Sequence, residues 1–161
     1  MDNTFDDIHH YMGIELNQQT WSLLEIKDRN QKDDTRMIAF AKASLYHWSK
    51  SQNFQPIHEQ RGEWMISHIY AILGKGENAL SHAKKCWTQT ELLNLKGFDL
   101  GYAYEALARA YGALGNSEEM NNNFLKAKST KEQIVDTNDQ KIFMDDLHAG
   151  PWFECTKPME D

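Results

Sequence analysis

The chain is short of cysteine, proline and glycine, and short of positive charge. Two cysteines, Cys86 and Cys155, in 161 residues are too few for the disulfide framework that holds small secreted domains together. Three prolines and nine glycines disfavour a loop-rich or fibrous chain. Lys and Arg number 17 against 24 Asp and Glu, a formal charge of −7. That argues against nucleic acid as a partner, which calls for a basic face to displace counterions from phosphates. It argues equally against adhesion to an anionic membrane surface. No apolar run approaches the roughly 18 residues of a membrane span. The N-terminal stretch, with Asp2, Asp6 and Asp7, lacks the basic-then-apolar pattern of a secretion signal. A cytoplasmic protein is expected. Also missing are a Gly-rich phosphate loop, a G-x-S-x-G elbow and an H-E-x-x-H ligand pair, so no cofactor and no metal are expected.

What is present suits a packed core. Hydrophobic residues make up 40% of the chain, with five Trp, six Tyr and seven Phe, enough apolar surface to make wholesale disorder improbable. Apolar residues recur at three- and four-residue steps almost throughout, and no stretch alternates with period two. The spacing predicts seven helices. The first runs from about Asn17 to Lys27, with Trp21 and Leu24 on one face. The second follows Asp33–Asp34, acids suited to a helix N-terminus, and carries Met37, Ala41, Leu45 and Trp48. The third follows Pro56, carries Ile66, Ile69, Tyr70 and Leu73, and stops at Gly74 and Gly76. The fourth carries Ala79, Leu80, Ala83, Cys86 and Trp87. The fifth carries Leu100, Tyr104, Leu107, Ala108, Tyr111 and Leu114, and stops at Gly115. The sixth starts at Asn116, where Glu119 three residues on gives capping-box character, and carries Met120, Phe124, Ala127 and Ile134. The seventh opens with Thr137, carries Ile142, Phe143 and Leu147, and ends at Gly150–Pro151. Residues 1–13 and 151–161 show no clear period and are expected to be irregular termini of a single domain spanning 1–161, with Trp152 and Phe153 able to dock the tail.

The chain repeats itself. Shifted by 41 residues, Tyr70, Leu73, Gly74, Glu77, Lys85 and Glu91 fall on Tyr111, Leu114, Gly115, Glu118, Lys126 and Glu132. The shared Tyr–x–x–Leu–Gly marks a helix end and a tight turn, and the small or apolar residues after it mark the inner face of a second helix. This pattern resembles the tetratricopeptide repeat. Tyr104, Leu107, Ala108, Tyr111, Gly115, Met120, Phe124 and Ala127 match that family's helix pair, with Met120 where Ala is usual. Ile66, Ser67, Tyr70, Gly74, Ala79 and Ala83 match less completely, because Glu63 stands where an aromatic belongs. The offset of 41 exceeds the family's period of roughly 34, which places extra length in the second helices and around Asn94–Phe98. Stretches such as Ala43–Ser44–Leu45–Tyr46–His47–Trp48, Arg61–Gly62–Glu63–Trp64 and Ala103–Tyr104–Glu105–Ala106–Leu107–Ala108 are similar to a group of small bacterial helical-repeat proteins, a resemblance that implies a fold and brings no reaction with it. What the resemblance implies is an all-α, right-handed superhelix of about three antiparallel helix pairs plus a C-terminal capping helix. Its concave groove, lined by the first helix of each pair, would take a peptide or a partner helix.

Carried over position by position, the groove-facing residues are Arg61, Trp64 and His68 with Ile72 on the third helix, and Tyr102, Glu105 and Arg109 with Ala113 on the fifth. Each set spaces by three or four and so forms one stripe. Trp, Tyr and Arg dominate interface energetics, which makes Arg61, Trp64, His68, Tyr102, Glu105 and Arg109 the expected partner-binding set. A structural reading stands beside it: Glu105 and Arg109 as an ordinary i,i+4 pair, and Trp64 packed under a neighbouring helix. Trp64 and His68 occupy the places where that family's carboxylate clamp has Lys and Asn, so a clamp of that kind is not expected. Arg61 and Arg109 remain able to hold one anionic group.

Other constellations are weaker. His9 and His10 are adjacent and point apart on a helix. His47, His68 and His82 fall on three different helices, and Asp145, Asp146 and His148 cluster at a helix end. Cys86 reads as a buried structural thiol, and Cys155 as a tail residue open to solvent. A non-enzymatic module that binds a protein or peptide is therefore the leading expectation. Alternatives are a homo-oligomeric assembly protein whose groove is filled by its own tail or a second copy, and a small-ligand binder or enzyme in which His68, Tyr102, Glu105 and Arg109 converge.

Overall fold

The computed structural model describes residues 3–155. It contains α1 (Asn3–Leu24), α2 (Gln31–Lys50), α3 (Pro56–Ile72), α4 (Gly76–Leu92), α5 (Gly97–Ala113), α6 (Ser117–Ser129), a 3₁₀ turn (Thr130–Gln133) and α7 (Thr137–Ala149). No strand occurs among the described residues, and none of their helices is long and apolar enough to cross a membrane.

Local chemistry sets the helix ends. Asn30 caps α2: its side chain accepts from the backbone N–H of Lys32 at 2.9 Å and of Asp33 at 3.1 Å, and Asp33 accepts in return from Asn30 N–H at 3.2 Å. Asp33 and Asp34 thus lie inside the first turn, where the helix dipole favours them, and not before it. Asp136 caps α7 through Asn138 and Asp139 N–H, at 2.8 and 2.9 Å. The two repeats end alike. Lys75 N–H reaches Tyr70 O at 2.9 Å and Gly74 N–H reaches Ala71 O at 2.9 Å. Forty-one positions on, Asn116 N–H reaches Tyr111 O and Gly115 N–H reaches Gly112 O, both at 3.0 Å. This is the Schellman closure, whose pivot takes a positive φ that glycine adopts without steric cost; φ is +69° at Gly74 and +74° at Gly115. Gly76 does not stop α3. It opens α4, where a Cβ would lie 2.7 Å from Leu114 Cγ, so its absence lets α4 lie close to the end of α5.

Three further expectations need correction. α1 begins about fourteen residues earlier than Asn17, at Asn3. Its inner face is built from Gly13, Leu16, Thr20 and Leu23, which are buried; Gly13 lies against the Trp48 ring, and Ser44 Oγ donates to Gly13 O at 2.7 Å. Glycine and threonine carry little apolar signal, so period analysis passes over such a face. α6 ends at Ser129, and the 3₁₀ turn delivers Ile134 to the core from outside the helix, 5% exposed. Cys155 is buried, not open: its thiol donates to Gly112 O at 3.7 Å, and Trp152 beside it packs edge-on against Phe124. Residues 156–161 and Met1–Asp2 lie outside the described residues.

Adjacent helices pack as pairs, α1 with α2, α3 with α4 and α5 with α6; α3 also packs on α5, and α7 closes over α5 and α6. One apolar cluster joins α1, α2, α3, α4 and α5, the other joins α5, α6, α7 and the tail, and Trp64 touches both. α5 is therefore enclosed nearly all round. Small residues make this feasible: Gly101, Ala103, Ala106, Ala108, Ala110 and Gly112 are all buried. A Cβ on Gly101 would come within 2.5 Å of Thr130 Oγ1 and 2.8 Å of Phe143 Cζ.

Candidate ligand-binding cleft

The two repeat units meet at one aromatic residue. Trp64 on α3 and Glu105 on α5 hold equivalent places, 41 residues apart, and the Trp64 indole N–H donates to Glu105 Oε2 at 3.0 Å. Trp64 stacks on His68, centroids 5.0 Å apart and planes 22° apart. It meets Tyr102 edge-on at 5.2 Å and 80°. Tyr102 packs in turn on Phe98 at 4.7 Å and edge-on against Phe143 at 5.0 Å. Its hydroxyl donates to Asp146 Oδ2 on α7 at 2.5 Å. Edge-to-face contacts of this kind fix ring orientation as well as adding to burial.

Of these rings, Trp64, Phe98 and Tyr102 line an open cleft of about 600 Å³ bounded by α1, α2, α3, α5 and α7. Trp21 of α1 stands 6.1 Å from Trp64, centroid to centroid, and is 41% exposed. Trp48 of α2 also lines the cleft, held by a stack on His58 at 4.0 Å. Ile142 and Asp146 of α7 close the end beside Tyr102. The volume lies within the roughly 300–1,000 Å³ of ordinary ligand sites.

Beneath this surface lies a buried charged layer. Glu105 is 0% and Arg109 is 2% exposed, and the two side chains pair directly. Arg109 also donates to Gly150 O at 2.6 Å and to Asp146 O at 2.7 Å, and its guanidinium lies over the Trp152 ring, 5.1 Å from the centroid. It thus supplies donors to carbonyls that the last turn of α7 would leave unsatisfied. His68 Nδ1 lies 3.9 Å from Glu105 Oε1 and forms no hydrogen bond. Burial, reinforced by the Arg109 charge, drives the His68 ring down to about 3, so it is neutral at pH 7.

Burial raises the Tyr102 hydroxyl well above its usual range, and the Asp146 carboxylate beside it adds to the effect. Burial also raises the Asp146 carboxyl, partly offset by the Tyr102 hydrogen bond. On α4, burial pushes the Cys86 thiol up to about 12, which keeps it protonated and poorly nucleophilic.

Of the six residues read from the sequence, Arg61, Trp64 and Tyr102 line the cleft. Glu105 and Arg109 are buried below it, and His68, partly exposed, does not line it. The pairing of Arg61 with Arg109 around one anion is not present. Arg61 binds Asp99 through two contacts, at 3.0 and 3.2 Å, while Arg109 is enclosed and fully engaged. The residues missed are Trp21, Trp48, Phe98, Asp99, Ile142 and Asp146. Trp21 and Trp48 read as packing positions because they lie on apolar stripes, and Asp146 reads as an ordinary helix-end charge. Residues 150–155 do not line the cleft. Among the described residues, no group of three or more His, Cys, Asp or Glu side chains is placed to hold a metal ion.

No family model matches the chain, and neither a curated protein nor a solved structure does.

Proposed function

We propose that the chain is a helical-repeat module of the tetratricopeptide-like kind its sequence resembles, and that it holds a segment of a partner polypeptide in the cleft bounded by α1, α2, α3, α5 and α7. One observation carries this reading. The first helix of each pair contributes an aromatic ring to a single hollow, Trp21 from α1, Trp64 from α3 and Tyr102 from α5, and Trp21 keeps 41% of its surface open there. Rings fixed by neighbours are suited to binding because little conformational freedom remains to be lost. In this reading the stack of helix pairs supplies a curved inner face, the module binds, and it performs no chemistry.

A test is selection from a random peptide display library on the immobilised full chain. Enriched peptides are expected to compete for one site. They should bind Trp21→Ala about tenfold more weakly, the ordinary cost of a contributing aromatic contact. Because Trp21 is half exposed, that variant should melt within a few degrees of the wild type. Absence of enrichment, or enriched peptides indifferent to Trp21→Ala, would overturn the reading.

Self-association is the second reading, and one observation favours it. Phe5, Ile8 and Tyr11 on α1 are 71%, 48% and 61% exposed, whereas a terminal repeat ordinarily turns a polar face outward. Mass in solution over a range of concentrations separates the two.

A further inference from the structure

We infer that the cleft selects a partner segment by a lysine or arginine side chain, whose cationic head sits between the Trp21, Trp64 and Tyr102 rings and the Asp146 carboxylate. The inference rests on the peptide-binding reading and names the chemistry that the bound segment must bring.

The charges on the lining decide its sign. Asp99 is neutralised by Arg61, at 3.0 Å. No lysine lines the cleft, and Arg61 is its only arginine among the described residues. His58 is the one lining histidine, and burial together with the nearby Arg61 charge lowers its pKa, which favours its neutral form. Below the surface Glu105 is paired with Arg109. That leaves Asp146 as the one charged lining residue without an opposite charge paired to it. Its Oδ2 accepts the Tyr102 hydroxyl at 2.5 Å, and among the described residues no Lys, Arg or His stands within ion-pair distance of the carboxylate. Arg109 bonds the Asp146 backbone carbonyl instead.

The apolar part of the lining points to the same ligand. An ammonium or guanidinium group is attracted to the negative face of an aromatic ring, most strongly to tryptophan. Two indoles and a phenol cluster on this lining, Trp64 lying 6.1 Å from Trp21 and 5.2 Å from Tyr102, centroid to centroid, so that a cation seated beside them meets several rings at once. The methylene stem of Lys or Arg would bury against Leu45, Met65 and Ile142 along the same cleft. An anionic segment would meet Asp146 with no free cation to offset it. A purely apolar segment would desolvate that carboxylate with nothing in return. The net charge of −7 attracts basic segments over a longer range.

The experiment uses four peptide libraries with degenerate flanks and a fixed central Lys, Arg, Leu or Glu, offered to the immobilised full chain. The Lys and Arg libraries are expected to be retained about five- to tenfold over the Leu and Glu libraries, the preference shrinking as salt is raised. Asp146→Asn keeps an acceptor for Tyr102 but removes the charge, and should abolish the preference. Trp21→Leu, at a half-exposed position, should weaken the Lys and Arg libraries more than the Leu library, and its melting temperature shows that it folds. Best retention of the Leu library, or a preference that survives Asp146→Asn, overturns the cation site and leaves the peptide groove standing. Failure of all four libraries overturns both.

Discussion

Arg109→Ala should lower the unfolding free energy by about 3–5 kcal/mol, the usual loss when one partner of a buried ion pair is removed. For a chain of this size that corresponds to a fall in Tm of about 6–20 °C. The cause is threefold. Glu105 would keep a fully enclosed carboxylate with no countercharge. The carbonyls of Asp146 and Gly150 would lose donors now at 2.7 and 2.6 Å. Trp152 would lose the cation over its ring. Glu105→Gln combined with Arg109→Met removes both charges while roughly keeping volume, so the double variant should lie closer to the wild type than Arg109→Ala does, because charges in contact are not additive. Urea unfolding checks both. A loss under about 1 kcal/mol for Arg109→Ala would mean that the pair is solvated and that the cleft floor is not the rigid layer described. Hydrogen exchange on Arg109→Ala should also show α7 opening before α3, since two of the side-chain hydrogen bonds that tie the end of α7 to α5 come from Arg109.

Stability should fall as the solution is acidified below neutrality, and His68 should be a major cause. An unfolded histidine takes up its proton near pH 6.5, whereas His68 in the fold resists protonation down to about 3. Between those values the unfolded chain binds the more protons, so the folded state loses up to about 1.4 kcal/mol per pH unit, or about 2 kcal/mol between pH 7 and pH 5. Above about pH 7.5 both states leave the ring neutral and the group contributes almost no pH dependence. The surroundings explain why the ring stays neutral. Trp64 covers one face, and the Glu105 carboxylate at 3.9 Å is already claimed by Arg109. His47 and His58 are shifted the same way by burial and add to the trend. Asp146 opposes it, because its raised pKa makes the folded state the readier proton acceptor in the acid range. Urea midpoints for the wild type and His68→Gln at pH 7 and pH 5 isolate the contribution. The variant should lose about 2 kcal/mol less than the wild type over that interval. Equal losses would show that His68 titrates as a solvated histidine.

The helical character of the chain could be read from its pattern, and so could the repeat. The Tyr–x–x–Leu–Gly offset of 41 residues reappears as the same two hydrogen bonds and the same positive-φ glycine at Gly74 and Gly115. Turn chemistry is local, so sequence displays it. Two kinds of feature did not show. The inner face of α1 depends on Gly13 and Thr20, side chains that pack by being small and by bonding their own backbone, as Thr20 does to Leu16 O at 2.7 Å. The burial of Glu105 and Arg109 depends on α7 folding across α5, a contact far along the chain that helical spacing cannot report. Two charged residues four apart look the same in sequence whether they face water or lie under a helix. Helical spacing therefore reports which residues share a face of α3 and α5 but not how deep that face lies, and the α1, α2 and α7 residues that line the cleft look in sequence like packing positions or helix-end charges.

The chain's five tryptophans make the cleft directly observable. Trp21, Trp48 and Trp64 line it, whereas Trp87 packs on Tyr104 and Trp152 on Phe124, outside it. Two-dimensional ¹H–¹⁵N NMR resolves the five indole N–H groups, and a lysine-centred peptide retained by the chain can be titrated against them. The Trp21, Trp48 and Trp64 signals should move together and saturate at one peptide concentration, with Trp87 and Trp152 unmoved. Saturable binding that shifts only Trp87 or Trp152, or none of the five, would place the ligand elsewhere and contradict a binding cleft bounded by α1, α2, α3, α5 and α7.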